Sequence, residues 1–535
     1  MNRLMKRIGL WLFLLAYVFC VYWCFFRTHP LFQKRPVTIT YAHWQLERGP
    51  PAGFAAVIKR YEELHPRVKV EQLIIPGLKV YPQWLRANLA GDNGPDILEW
   101  GSWLEGGRDI PARYFEPLTA ELAKPNPYDR GTPEERISWE KSFHDQMIAP
   151  RRDSPDPGQI YGVSVSEVVL RLFCNIRLLR EITGSDAAPQ TYADLRKILE
   201  ETREFARRTG RTISGFAGSR DHADWIAEQI MAGPMLKTAL DVDDDGYLLL
   251  YTPQSLAAYL EGKWSFSQPA VKAGMQLTRD VTLAMKPGFM QLLRDDALIE
   301  YFRGHAVFIY SGTWDATSLS QIAPFPVVPM MVPQVTSDDP EVGRYVIGPK
   351  DDGVGEGTEV MYLNKNSAHK EVALDFLKFL TSVEGQQIFT DNSGWLPTVN
   401  GVNIPDAIKE FREYARGYAF AIATFDNIGT EENLVWKKNF YLLTGDQGSV
   451  DKFVAVMDRD APAAIRKDLQ DQLRDTLLLV RPQDTAIVAT AALAQAAPDG
   501  ESLRVRQHQF ESGQTISEGL AFKMAQQLEE TKTRP

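Results

Sequence analysis

Glu167 is the residue with the clearest chemical potential in this chain. It lies in IYGVSVSEVVLRLFCNI, residues 160–176, among Val163, Val165, Val168, Val169, Leu170, Leu172 and Phe173. A carboxylate in such a run needs hydrogen-bond donors or a polar cleft to face. A plain structural carboxylate is the competing reading. Tryptophans at the ends of predicted elements are the second set of candidates. Trp44 and Trp100 close strand-like runs, and Trp314 opens a helix; Trp103, Trp395 and Trp436 are less clearly placed. A lone Trp is more often a packing residue, so position is what selects these. Rings that take an apolar C–H face, with carboxylates that accept hydroxyl hydrogens, make recognition chemistry for a polyhydroxylated solute. Bond-breaking machinery is not legible. The chain has no HExxH, no GxSxG and no GxxxxGK[ST], and its eight His are scattered. That leaves no metal or cofactor expected, and no ATPase.

The elements that must hold these residues follow from periodicity. PVTITY, Pro36–Tyr41, alternates as a first strand, with His43 and Trp44 at its end. An amphipathic helix over Gly53–Leu64, a strand over Val68–Ile75, a helix over Tyr81–Ala90 and a strand DILEW over Asp96–Trp100 come next. Strand–helix–strand order predicts a parallel sheet with ligands at the carboxyl ends of its strands. A long polar helix is expected over Pro133–Ala149. Thr191 and Asp194 form a capping box that opens the helix of APQTYADL. In YFRGHAVFIYSGTWDATSL, Ala306–Tyr310 reads as a strand, and Ser311–Trp314 as a glycine-containing turn into a helix whose free N–H groups can meet ligand oxygens.

The order of these segments resembles the maltose-binding-protein-like family, the extracellular solute-binding proteins of sugar ABC importers. YGVSVSEVVLRLFCNIRLLREI with APQTYADL matches the family's interlobe crossover, except that Cys174 stands where the family usually has Tyr. GPDILEW is similar to a family strand with a sugar-stacking aromatic, which implies that role for Trp100. The Gly304–Trp314 block implies the same for Trp314, with Asp315 beside it. Glu167 falls on a hydroxyl-binding Glu. VMYLNKNSAHKEVALDFLKFLTSVEGQQIF gives the longest match, GWLPT carries Trp395, and Trp436 corresponds to a second-lobe aromatic. The resemblance covers about residues 37–480. It implies an α/β two-lobe fold of the type II-like periplasmic-binding-protein kind, with the ligand cleft between lobes. Residues 36–165 and 357–399 would form lobe one; residues 166–356 and 401–480 would form lobe two. Hinges are expected near Ser164–Glu167 and Gly353–Thr358, with Trp100 and Trp314 sandwiching a carbohydrate on closure. The implied partners are a small solute and ABC permease subunits, with the chain a monomer. A membrane-tethered sensor of the same fold is the alternative, and a glycan-acting enzyme the third reading.

Composition bounds these expectations. At 535 residues the chain is too long for one core. The first 35 residues carry Arg3, Lys6, Arg7, Arg27, Lys34 and Arg35 and no acid. Without them 53 basic residues face 69 acidic ones, a net of −16, which argues against nucleic acid as a partner. Ile8–Phe26 has no charge, is flanked by Arg, and ends in YVFCVYWCFF rather than small residues. An uncleaved anchor over residues 1–35 is therefore expected, tethering the body on the extracytoplasmic face of a bacterial inner membrane. DVDDDG, Asp241–Gly246, imitates an EF-hand start, but Thr252 occupies the position that needs a bidentate Glu. A solvated hairpin turn is expected there. Residues 481–535 have no family counterpart and read as a helical or partly disordered extension.

Overall fold

The computed structural model describes residues 14–19 and 37–532, apart from 78–79, 102–109, 146, 148–149, 152–153, 155–158, 244–251, 350–355, 413–416, 418–428, 446 and 498–499. Two sheets, each with its own core, define two lobes. In lobe one, β1 (Val37–His43), β2 (Val68–Ile74) and β3 (Ile97–Glu99) run parallel. Helix Gly49–Leu64 covers them with Phe54, Val57 and Tyr61. β4 (Gly162–Val168) and the returning strand β9 (Glu356–Leu363) complete a sheet of order β2-β1-β3-β9-β4, with β9 antiparallel to both neighbours. Helices Lys370–Leu380 and Val383–Ser393 pack on it, burying Phe376, Phe379 and Phe389.

Lobe two is built on β5 (Leu170–Asn175), β6 (Ser214–Ala217), β7 (Ala306–Gly312) and β8 (Val327–Met330), in the order β6-β7-β5-β8. Its large core includes the helices Tyr192–Thr209, Arg220–Val242 and Pro269–Thr282. Thr191 and Asp194 form the expected capping box. The first crossover is Val169 alone. Ser166 and Glu167, expected to open lobe two, stay in β4, because β4 remains paired to β9 through Val168. Glu167 N–H also donates to the Leu396 carbonyl at 3.1 Å, which ties the crossover to the chain leaving lobe one.

Pro133–Ala149 is not a long helix. It makes a 3-10 turn at Pro133–Arg136 and a short helix at Trp139–Ser142, and Phe143 then bridges Val399. Trp139 and Phe143 are both buried, and Trp139 Nε1 donates to Thr381 Oγ1 at 3.0 Å. Tertiary burial of these rings outweighs the polar pattern. Asp241 and Val242 end a helix, with Asp243 as its C-cap, rather than opening a hairpin; the rest of DVDDDG lies outside the described residues. No group of acids, His or Cys that could hold a metal occurs among the described residues. The C-terminal extension is a helical hairpin: Val450–Ala496 runs on from lobe two and Glu501–Glu530 folds back along it. Arg466 closes the pair on the Thr531 carbonyl at 2.8 Å.

Among the described residues no helix is long and apolar enough to cross a membrane. Most of the expected anchor lies outside them; residues 14–19 are helical, with Leu15, Tyr17 and Val18 exposed.

Candidate functional site

β7 ends at Gly312, and the turn that follows carries Trp314 and Asp315. A Cβ at Gly312 would come within 2.3 Å of the Trp314 ring, so only glycine lets the indole lie back over the strand end. Trp314 Nε1 donates to Asp315 Oδ2 at 3.0 Å, and Ser311 Oγ donates to the same oxygen at 2.6 Å. Asp315 is buried, which pushes its carboxyl pKa up, with Arg294 and Ser311 opposing the shift. Trp225, from the first turns of helix Arg220–Val242, meets Trp314 edge-to-face at 5.4 Å between centroids. His222, one turn earlier, packs on Trp225 at 5.3 Å. Burial, with Arg294 adding to it, pushes its imidazole down to about 3. His222 is therefore neutral near pH 7.

Lobe one answers with the loop after β1. Arg294, at the start of helix Arg294–Phe302 in lobe two, pairs Nη2 with Glu47 Oε1 at 3.0 Å and with Asp315 at 3.8 Å. Glu99, at the end of β3, accepts from Trp44 Nε1 at 2.9 Å and Gln45 Nε2 at 2.7 Å. Burial is the chief cause that raises its pKa to about 8, against those hydrogen bonds. Tyr81 Oη donates to the Glu99 carbonyl at 2.6 Å and holds the strand end.

The predicted residues distribute unevenly around this centre. Trp44 is half-buried beside Glu99, and Trp314 and Asp315 sit together after the end of β7 in lobe two. Trp100 is almost wholly enclosed by Phe115 and Tyr362, and no ring contact joins it to Trp314. Glu167 is committed to His144, whose Nδ1 lies 2.7 Å from Oε1. Trp395 is buried in the lobe-one core, with its Nε1 unpartnered beside Gly49. Trp436 has no exposure; it stacks on Phe440 and meets Phe453 edge-on, deep in lobe two. Trp103 lies outside the described residues. Glu47, Glu99, Trp225 and Arg294 were not singled out from the sequence. Trp225 carries the same signal as Trp314, a Trp in the first turns after a strand's carboxyl end. A cavity of about 480 Å³ lies elsewhere in lobe two, lined by Leu199, Arg203, Arg207, Met285, Phe289 and Tyr441. None of the predicted residues lines it.

Two α/β lobes, the first crossover between them being Val169 alone, are the architecture on which the comparisons bear. The chain belongs to the bacterial extracellular solute-binding proteins, whose family model matches residues 56–415. It is thus a binding protein rather than an enzyme, and its place of action is extracytoplasmic. No curated protein matches it. Among solved structures it is similar to the GacH receptor of Streptomyces glaucescens, at 16% identity and TM-score 0.54, covering 80% of this chain and 98% of that one. A second is maltose-bound MalE3 of T. maritima, at 18% identity and TM-score 0.51, covering 79% and 98%. A third is the MalE domain of Bdellovibrio bacteriovorus bound to maltotriose, at 17% identity and TM-score 0.52, covering 81% and 100%. At these identities the likeness speaks for the fold.

Proposed function

We propose that this chain captures a carbohydrate or similar polyol between its lobes and delivers it to an ABC permease. The observation that carries the reading is the Trp314–Asp315 pair at the end of β7, linked across to Glu47 of lobe one by Arg294. A ring offers a face for sugar C–H groups, while the adjacent carboxylates accept hydroxyl hydrogens. The similar structures support the class of ligand: the GacH receptor is known in complex with acarbose, and the two MalE proteins with maltose and maltotriose. Trp314, Asp315 and Trp44 are the proposed contacts, joined by Trp225. Trp100 and Trp395 would contribute from behind them, and Trp436 serves the core. Lobe one is taken as residues 36–168 with 356–399. Lobe two is taken as the segment from Leu170 to the return strand, plus 401–480. Ligand contacts made only in the closed form are what drive closure. Ile8–Phe26 is proposed to tether the protein to the membrane, and the mass of the mature native protein tests that; an N-terminus beyond Phe26 contradicts it.

The ligand reading is tested by a glycan and oligosaccharide screen, followed by calorimetry and small-angle scattering. A saccharide should bind with compaction. A best ligand that binds without compaction, and equally well to Trp314→Ala, overturns the interlobe site.

A further inference from the structure

The cavity of about 480 Å³ in lobe two has a chemistry of its own, with none of Trp44, Glu47, Arg294 or Trp314 in its walls. One wall is the face of helix Tyr192–Thr209 that carries Leu199, Arg203 and Arg207. Another is the stretch that follows helix Pro269–Thr282, with Met285 and Phe289. Leu199, Met285 and Phe289 are buried and make an apolar lining. The exposed Tyr441 stands at the rim. These walls are tied in place. Phe216 N–H of β6 donates to the Ala284 carbonyl at 3.1 Å. Arg279 Nη1 donates to the carbonyls of Leu443 and Gly445, at 2.6 Å and 3.0 Å, which fixes the short helix of Tyr441.

The body of the chain is rich in acid, yet this cavity is lined by Arg203, Arg207, Arg211 and Lys286 against the single carboxylate of Glu300. Glu300 is already engaged: Lys286 at 3.2 Å, Arg303 at 3.3 Å and His305 at 3.1 Å all meet its oxygens. Arg211 pairs with Glu181 and lies over the Phe205 ring. Arg203 and Arg207 have no ion-pair partner among the described residues. Residues four apart on a helix are neighbours, and like charges at that spacing destabilise it. Two adjacent guanidiniums thus border an apolar hollow with no acid to answer them.

We propose that this cavity is a second ligand site, which takes a small organic anion. Its carboxylate or phosphate is held by Arg203 and Arg207, and its apolar body fills the hollow against Leu199, Met285 and Phe289. The volume falls within the range of small-molecule pockets, about 300–1,000 Å³, and such pockets combine an apolar lining with a few placed polar groups. A guanidinium fork matches a carboxylate or phosphate with two parallel hydrogen bonds. A bare inorganic anion would leave the apolar lining in water. A neutral apolar molecule would leave the two guanidiniums without a counter-charge. The site stands independently of the carbohydrate reading above.

The test is calorimetry on the full chain with phenyl phosphate and phenylacetate, against inorganic phosphate, acetate and benzyl alcohol. The small anions lack the ring, and the alcohol lacks the charge. At least one aryl anion should bind at least ~10-fold tighter than both its ringless counterpart and the alcohol, and should weaken as salt rises. The tighter of the two identifies the headgroup. The double variant Arg203→Gln with Arg207→Gln should lose at least ~10-fold in that affinity. Both positions are exposed, and thermal melts check that the variant folds. Aryl anions that bind no better than benzyl alcohol overturn the proposal, as does an affinity unchanged in the double variant. Inorganic phosphate or acetate binding as tightly as its aryl partner overturns the apolar half and with it the organic ligand. None of these results bears on saccharide binding between the lobes.

Discussion

Arg294 of lobe two reaches Glu47 of lobe one at 3.0 Å while lying 3.8 Å from Asp315 on its own lobe. One guanidinium thus holds an acid from each side of the cleft. The pair partners are little exposed, 9% for Glu47 and 2% for Asp315. Removing the cation leaves two poorly solvated carboxylates facing each other, and the lobes gain a reason to part. Arg294→Gln should therefore open the unliganded protein. The loss is roughly 1.5–3 kcal/mol, the scale of a charged hydrogen bond. A larger radius of gyration without ligand, reversed by Glu47→Gln in the same chain, is the expected scattering result. An unchanged radius in Arg294→Gln sinks the bridge as a closing contact.

Gly312 allows a test of Trp314 that keeps the ring. A Cβ placed 2.3 Å from the indole must push it off the strand end. Gly312→Ala should then weaken ligand binding toward the level of Trp314→Ala, for which a buried aromatic hot spot implies roughly 2–4 kcal/mol. That is on the order of 30- to 1000-fold in affinity. Calorimetry reads both variants, and wild-type affinity in Gly312→Ala would show that the ring's seat over the strand is immaterial.

Trp436 should behave in the opposite way. It is fully buried against Phe440, Phe453 and Phe266. Trp436→Ala should destabilise lobe two by roughly 3–5 kcal/mol through the cavity it leaves. Ligand affinity of the folded fraction should be unchanged. Denaturant melts and calorimetry together check this; weakened binding with normal stability would return Trp436 to the site.

These contrasts show what the sequence could and could not express. Strands β1, β3 and β7 and the helix Lys370–Leu380 are legible because period and punctuation agree locally. Trp314 and Asp315 are legible because a strand end, a glycine and a Trp fall within a few residues of one another. Trp436 misleads because nothing local distinguishes a Trp packed on Phe440 and Phe453 from one facing a cleft. Glu167 reads as a ligand acceptor until His144, 23 residues earlier, is found on its oxygen. Arg294 carries no local signal at all, since its partner Glu47 is 247 residues away. Pro133–Ala149 fails for a related reason: Trp139 and Phe143 find burial sites that a helix would deny them.

The last prediction concerns pH. Burial raises the Glu99 carboxyl from its ordinary 4.5 to about 8, and burial also lifts Glu359 and Glu432 well above the usual range. Tyr41 and Tyr81, which face Glu99, are pushed further up and stay neutral. A raised carboxyl keeps its proton in the folded state at pH values where the unfolded chain has lost it. The folded state then binds more protons, so stability must fall as pH rises through that window. For Glu99 the window runs from about pH 4.5 to about pH 8, and the fall is on the order of a few kcal/mol. Thermal unfolding from the acidic to the alkaline end of that window should show a declining Tm. Glu99→Gln keeps an acceptor for Trp44 and removes the titrating group, so its Tm should decline less steeply over the same window. A wild-type Tm that holds level or rises toward pH 8 would mean that these carboxyls are ionised in the fold and solvated more than their burial allows.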